Sequence, residues 1–98
     1  SIIQESEENL KFAGVKESTM IVELTSANFQ QEVEQAEQPV IIDVFANWCT
    51  PCRAFAPIFD AVSQTEKEHC KFAKIDFSRH SELGSRLKVV VIPTILFM

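Results

Sequence analysis

Ninety-eight residues allow one domain, since domains typically run to about 100–150 residues. With 46% hydrophobic and 23% charged residues the chain can build a core, while a net charge of −5 and the lack of any Lys/Arg cluster argue against a nucleic-acid partner. The longest apolar run, residues 89–98, contains Pro93 and is too short to span a bilayer, so no membrane association is expected.

Residues 1–19 differ from the rest. They are acidic and polar at the start, unlike a signal peptide, and read as an N-terminal arm. The arm is either docked through Ile3, Leu10, Phe12 and Val15 or a free terminal segment. Residues 20–98 read as the folded domain. Met20–Leu24 is a short strand candidate. Thr25–Gln38 has cap-type residues at its start, Phe29, Val33 and Ala36 at helical spacing, and Pro39 beyond its end, which predicts a helix. Val40–Ala46 (VIIDVFA) is a nearly continuous β-branched and aromatic run, as in a strand buried on both faces. Phe55, Ile58, Phe59 and Val62 recur at i, i+3, i+4 and i+7 and predict an amphipathic helix reaching about Glu68. Lys71–Phe77 reads as a strand, Ser78–Lys88 as a helix with Leu83 and Leu87 inward, and Thr94–Met98 as a further strand. The order β-α-β-α-β-α-β predicts the α/β class.

Three cysteines are too few and too odd in number for a disulfide-framework scaffold. Two of them, Cys49 and Cys52, form a C-x-x-C between the buried strand and the amphipathic helix. Cys49 thus falls at a helix N-terminus, where unpaired N–H groups and the macrodipole stabilise an anion by up to ~2 kcal/mol. The thiolate is the nucleophile of disulfide exchange, so position makes Cys49 the expected attacker, exposed at the helix end. Cys52, one turn into the helix and buried behind it, suits the resolving role. Zinc is the competing chemistry, but the further candidate ligands are only His69, Cys70 and His80, with no second C-x-x-C. Pro51 also removes an N–H that would support metal-bound thiolates. Neither metal nor organic cofactor is expected.

IIDVFANWCTPCRAFAPIF, followed by KIDF and then VVVIPT, resembles the thioredoxin family from about Met20 to Met98. The resemblance implies a central mixed β-sheet flanked by helices, with the family's last strand and last helix missing from this chain. It implies that Cys49 and Cys52 are the redox pair, Asp43 the buried acid beneath it and Lys74 the lysine near that acid. Pro57 matches the proline inside the long helix, Pro93 the cis-proline, Ile92 the residue that offers its backbone to an extended substrate, and Trp48 the indole flanking the site. Thr50 replaces the usual glycine, and Phe45 stands where many members have a second Trp.

Asp43, flanked by Ile41, Ile42, Val44 and Phe45, is expected to be desolvated, with its carboxyl raised towards a useful base. Cys70 reads as a core cysteine, His69 and His80 as solvated helix-end residues, and Phe29, Phe55, Phe59, Phe72 and Phe77 as core. Arg53 is either a partner-recognising cation beside the pair or a plain surface charge. The expected function is reduction of protein disulfides. Electrons would come from an external thioredoxin-reductase-type donor, in the cytoplasm. The alternatives are an oxidase or isomerase in an oxidising compartment, and a non-catalytic binding module. The absent last strand would leave an apolar sheet edge, from which low stability, a dimer or a swapped assembly is expected unless residues 1–19 fold over the gap.

Overall fold

A computed structural model of the chain describes residues 21–98. The arm over residues 1–19 and Met20 lie outside the described residues. The architecture is organised around β2 (Val40–Phe45), whose VIIDVF sequence has β-branched residues at four of its six positions. This strand is interior. It runs parallel to β3 (Lys71–Asp76), from Val40 opposite Lys71 to Phe45 opposite Asp76. It runs antiparallel to β4 (Thr94–Phe97), from Ile41 opposite Phe97 to Val44 opposite Thr94. β1 (Ile21–Glu23) pairs in parallel with the far side of β3, giving the order β1-β3-β2-β4. The sheet is therefore mixed, and the chain is α/β as expected. Among the described residues no helix is long and apolar enough to cross a membrane.

Alternation along β2 separates two apolar layers. Val40, Ile42 and Val44 point to one face, where they pack with Leu24, Phe29, Val33, Ile75 and Leu83. Ile41 faces the other way, with Phe59 and Phe72. Asp43 shares the strand parity of Ile41, so a carboxylate occupies a position on the face covered by the long helix. The Phe59 and Phe72 rings meet edge-on at 5.5 Å between centroids, and Phe55 adds to them at 5.9 Å.

That helix is α1 (Thr50–Glu66), beginning after the N-cap Cys49 and carrying Pro51 in its first turn and Pro57 in its interior. Its inward stripe is only partly the one expected, with Phe55 and Phe59 inward as expected. Cys52, Phe59 and Ser63 are buried, whereas Ile58 and Val62 are 57% and 44% exposed. The apolar positions of α1 extend around more than one face, and periodicity alone mistook their centre. Ser63 fits the buried stripe because its hydroxyl donates to the Asp60 carbonyl oxygen at 2.7 Å, satisfying it within the helix.

The helix expected over Thr25–Gln38 is reduced to one π-wound turn, Gln30–Glu34, closed by the Gln35 N–H to the Gln30 carbonyl at 2.9 Å. Local side chains compete for its first turn. Thr25 Oγ1 accepts from Ala27 N at 3.1 Å and Asn28 N at 3.3 Å, while Asn28 Oδ1 accepts from Thr25 N at 2.8 Å. The apolar register still holds, with Phe29 and Val33 buried and Ala36 against the core. Lys71 fastens this segment to β3 through the Glu32 carboxylate at 2.6 Å.

α2 (Ser81–Arg86) is also shorter than the expected 78–88. Its missing first turn is a tight turn on Asp76, whose carboxylate accepts from Ser78 N and whose carbonyl accepts from Arg79 N and His80 N. Leu83 is fully buried and Leu87 packs against the core. A Cβ on Gly84 would run into the Phe77 ring, so glycine permits this close approach. Just beyond, Lys88 adopts φ 66°, the left-handed region that L side chains disfavour.

Candidate active site

Strand β2 ends at Phe45 and α1 begins at Thr50, so the intervening turn delivers Cys49 to the mouth of a helix. Cys49 N–H donates to the Ala46 carbonyl at 3.1 Å, fixing the turn, and Cys49 Sγ accepts from Cys52 N–H at 3.3 Å. That sulfur therefore occupies the place of a capping side-chain oxygen. Cys49 and Cys52 are joined as a disulfide, with Cα atoms 5.2 Å apart.

Cys49 is more enclosed than the sequence suggested, whereas Cys52 is buried, as expected. Cys49 is 6% exposed and Cys52 2%. Ala46 packs with the pair, and Phe45 and Ile92 close over it. The expected contrast between an exposed and a buried cysteine is thus narrow in this oxidised form. The order is kept, with Cys49 the more accessible. Thr50 and Pro51 lie exposed in the first turn of α1.

Around the pair, Trp48 is 69% exposed. The Ile92–Pro93 peptide bond is cis, and Thr94 Oγ1 donates to the Val91 carbonyl oxygen beside it. Trp48, Phe77, Val90, Val91 and Ile92 line a shallow cavity of about 150 Å³. Val90 and Val91 were not singled out in the sequence. They are 88% and 67% exposed, and their place beside Trp48 depends on a long-range fold contact.

Beneath the disulfide lies a second cavity of about 200 Å³, lined by Cys52, Asp43, Lys74, Arg53 and Asp60 among others. Asp43 is 4% exposed, so its carboxylate is withdrawn from solvent. Its Oδ1 is buried without a hydrogen-bond partner. Burial raises its carboxyl from 3.8 to about 6, with Lys74 pulling it back down and Asp60 adding to the rise. Lys74 is the cross-strand neighbour of Asp43, and its Nζ stands 5.6 Å from the centroid of the Phe45 ring. Arg53 Nη1 donates to the Asn47 carbonyl at 3.4 Å, at the rim.

The remaining candidates lie apart from this centre. Cys70 is half-buried, not enclosed, because it sits at the end of β3's approach, with its N–H donating to Glu66 O at 3.1 Å. His69 is exposed beside the Glu66 carboxylate at 3.2 Å, and His80 is a half-buried residue preceding α2. Among the described residues no group of three or more His, Cys, Asp or Glu side chains could hold a metal ion. Asp60 escaped notice as well. Only its i+8 spacing from Cys52, along the stripe through Ala56, could have pointed to the same cavity.

Comparison with known proteins agrees with this geometry. The sequence profile of the Thioredoxin family matches residues 20–98. Thioredoxin C-2 of Corynebacterium nephridii is 35% identical over 79 residues, covering 81% of this chain and 73% of that protein. The thioredoxin of Pseudomonas aeruginosa is 34% identical over 79 residues, with the same coverage of 81% and 73%. A bifunctional thioredoxin reductase/thioredoxin of Mycobacterium leprae is 31% identical over 81 residues, 83% of this chain but only 18% of that longer protein.

Proposed function

The chain belongs to the thioredoxin family and its Cys49–Cys52 pair is a thiol–disulfide exchange centre, and from that premise we propose that it reduces protein disulfides with Cys49 as nucleophile, Cys52 as resolving thiol and Asp43 as base. One observation carries the division of labour. The pair caps α1 through Cys49, while a buried, unpartnered carboxylate opens on the cavity beneath Cys52.

In the reduced state, the Cys49 thiolate attacks one sulfur of a substrate disulfide. A Cys49–substrate bond forms and the substrate's other sulfur leaves as a thiolate. Cys52 then passes its proton to the Asp43 carboxylate and attacks Cys49 Sγ. The mixed disulfide breaks, the second substrate thiolate departs, and the substrate has gained the two electrons lost by the pair, which is left oxidised as the Cys49–Cys52 disulfide. With its carboxyl near 6, Asp43 binds a proton about 150-fold more tightly than an ordinary aspartate, yet is mostly ionised at pH 7. Both properties suit a base near neutral pH. Ile92 packs against the pair and shares a cavity with Trp48; together with Pro93 they would receive the extended substrate segment, while Thr50, Pro51 and Lys74 would act in support.

Turnover requires an external electron donor. A thioredoxin-reductase-type partner is favoured by the mycobacterial relative, whose name joins the two activities in one protein. Reduction also implies a reducing compartment, and the cytoplasm is part of the proposal. The outer edge of β4, with Phe97 76% exposed, supports association through the sheet edge, which sedimentation at rising concentration tests.

The decisive experiment is trapping. Cys52→Ser should accumulate mixed disulfides through Cys49, and Cys49→Ser should trap almost nothing. The opposite pattern would overturn the assignment of nucleophile. No trapping in either variant, with no insulin-disulfide reduction by the wild type, would leave only a binding module. A potential near the about −270 mV of thioredoxin supports the reductive direction, and one near the about −120 mV of DsbA would reverse it.

A further inference from the structure

The cavity under the disulfide holds more charge than the proposed chemistry uses. β2 contributes Asp43 and β3 contributes Lys74, while α1 contributes Arg53 near its start and Asp60 two turns beyond Cys52. From β4 the residue opposite Asp43 is the apolar Ile95, so that side adds no charge. Among the described residues, then, two carboxylates and two cations face one small, partly apolar space, with Cys52 in its wall.

Asp60 is the exposed member of this set and Asp43 the buried one. Asp43 Oδ1 has no hydrogen-bond partner, so nothing in direct contact fixes its protonation at that oxygen. Its charge state is decided by burial and by the field of the neighbouring groups. A lone lysine on the next strand would favour a permanent carboxylate and draw Asp43 into an ion pair. A permanent ion-pair partner is a poor proton acceptor for a thiol. A second carboxylate on the same cavity opposes that pull, and α1 carries one in the helix that also carries Cys52.

We propose that Asp60 is a positioning residue for resolution: by opposing Lys74 across the shared cavity, it keeps Asp43 able to take the proton of Cys52. The inference rests on the reading of Asp43 as the base, and adds a residue outside the thioredoxin-like motif blocks that define the pair. The direction of the electrostatics agrees, since Lys74 lowers the Asp43 carboxyl and Asp60 raises it. The proton moves from Cys52 Sγ to an Asp43 carboxylate oxygen, and Asp60 takes no part in bond making. Because Asp60 reaches solvent, salt should weaken its influence more than that of Lys74, which is half-buried.

The test uses the full chain and two readouts. The first is the titration midpoint of the Asp43 carboxyl in the oxidised protein, followed by carbon NMR. The second is the pH dependence of resolution of a preformed Cys49 mixed disulfide. Asp60→Asn should move the Asp43 midpoint and the acid limb of the resolution profile to lower pH. Lys74→Gln should move both to higher pH, and Asp60→Glu should restore the wild-type profile. A merely structural role for Asp60 would not produce shifts of opposite sign at the two positions. An unmoved midpoint in Asp60→Asn, alongside a displaced one in Lys74→Gln, would overturn the inference while leaving Asp43 as base. Asp43→Asn serves to separate the two readings: if it fails to slow resolution at pH 7, the base assignment itself falls, whatever Asp60 does to the midpoint.

Discussion

Removing the charge at position 43 should lift a stability penalty that applies only above a defined pH. Asp43→Asn keeps the volume of the side chain and deletes its ionisation. In the folded chain the Asp43 carboxyl titrates at about 6, against 3.8 for the unperturbed group. Between those two values the folded chain holds a proton that the unfolded chain has released. Stability from this group therefore falls as pH rises through the window, opposite to the behaviour of a salt-bridged aspartate. Above about pH 6 the full penalty applies, and at ~1.4 kcal/mol per pKa unit it comes to about 3 kcal/mol. The asparagine amide itself is buried and poorly partnered, which costs about 1–3 kcal/mol independently of pH. The diagnostic is thus the pH dependence of the difference, not its absolute size.

Urea unfolding of the oxidised protein, wild type against Asp43→Asn, at intervals from pH 3.5 to 8 measures it. Other carboxylates titrate alike in both proteins and cancel. The variant should gain about 3 kcal/mol relative to wild type across the series. At a slope of ~1.5 kcal/mol per molar urea, that is about 2 M in midpoint. The gain should develop between pH 4 and 6 and then level off. Parallel stability curves over the whole range would refute a desolvated Asp43, and with it the physical basis for a base near neutral pH.

The left-handed Lys88 offers a second stability test. Lys88→Gly relieves a backbone cost of about 1–2 kcal/mol, partly offset by about 0.4–1 kcal/mol of unfolded-chain entropy, so thermal melting should rise by a few degrees, and a fall would contradict the conformation. The single tryptophan, Trp48, adjoins Cys49, and a disulfide quenches nearby indole emission. Dithiothreitol should therefore raise fluorescence in the wild type and leave Cys49→Ser unchanged. An unchanged wild-type spectrum with thiols proven reduced would separate the indole from the pair.

Much of this was legible in the sequence because it is local. The buried strand, the Trp-Cys-Thr-Pro-Cys turn and the helix it caps are contiguous, and their patterns of period 2 and 3.6 differ sharply. Asp43 stood out because a carboxylate interrupts an otherwise apolar run. What was missed depends on contacts between distant segments or on competition within one. The Thr25 and Asn28 side chains capture backbone groups that a full helix would have used, so a correct apolar register came with the wrong winding. Ile58 and Val62 matched the helical period, but Ser63 and Cys52 occupy the sheet-facing stripe, and no pattern ranks a buried serine above an isoleucine. Cys49 was expected to be open because helix ends usually are. It is covered by Ile92, forty-three residues along the chain by its number and invisible to a local reading.

Asp60 illustrates the same limit in electrostatic form. A surface aspartate on a helix has no sequence signature that separates it from a solubilising charge. Its significance arises only when β2 and β3 bring Asp43 and Lys74 to the same cavity as α1. The fold then bears two unfavourable features, a desolvated carboxylate on the cavity that Cys52 lines and, in the chain just before Val89 and Val90, an L-residue at positive φ. Strain and desolvation persist where the surroundings over-determine them. Here the surroundings are the paired interior strands and the Leu83 and Val89 anchors of the adjacent helix and loop. If Asp43 served only packing, an uncharged side chain would avoid the desolvation penalty that applies above about pH 6. A group that weakens the fold at neutral pH, lines the cavity of the buried sulfur and sits among opposed charges has no explanation in the packing, and the proposed proton transfer would supply one.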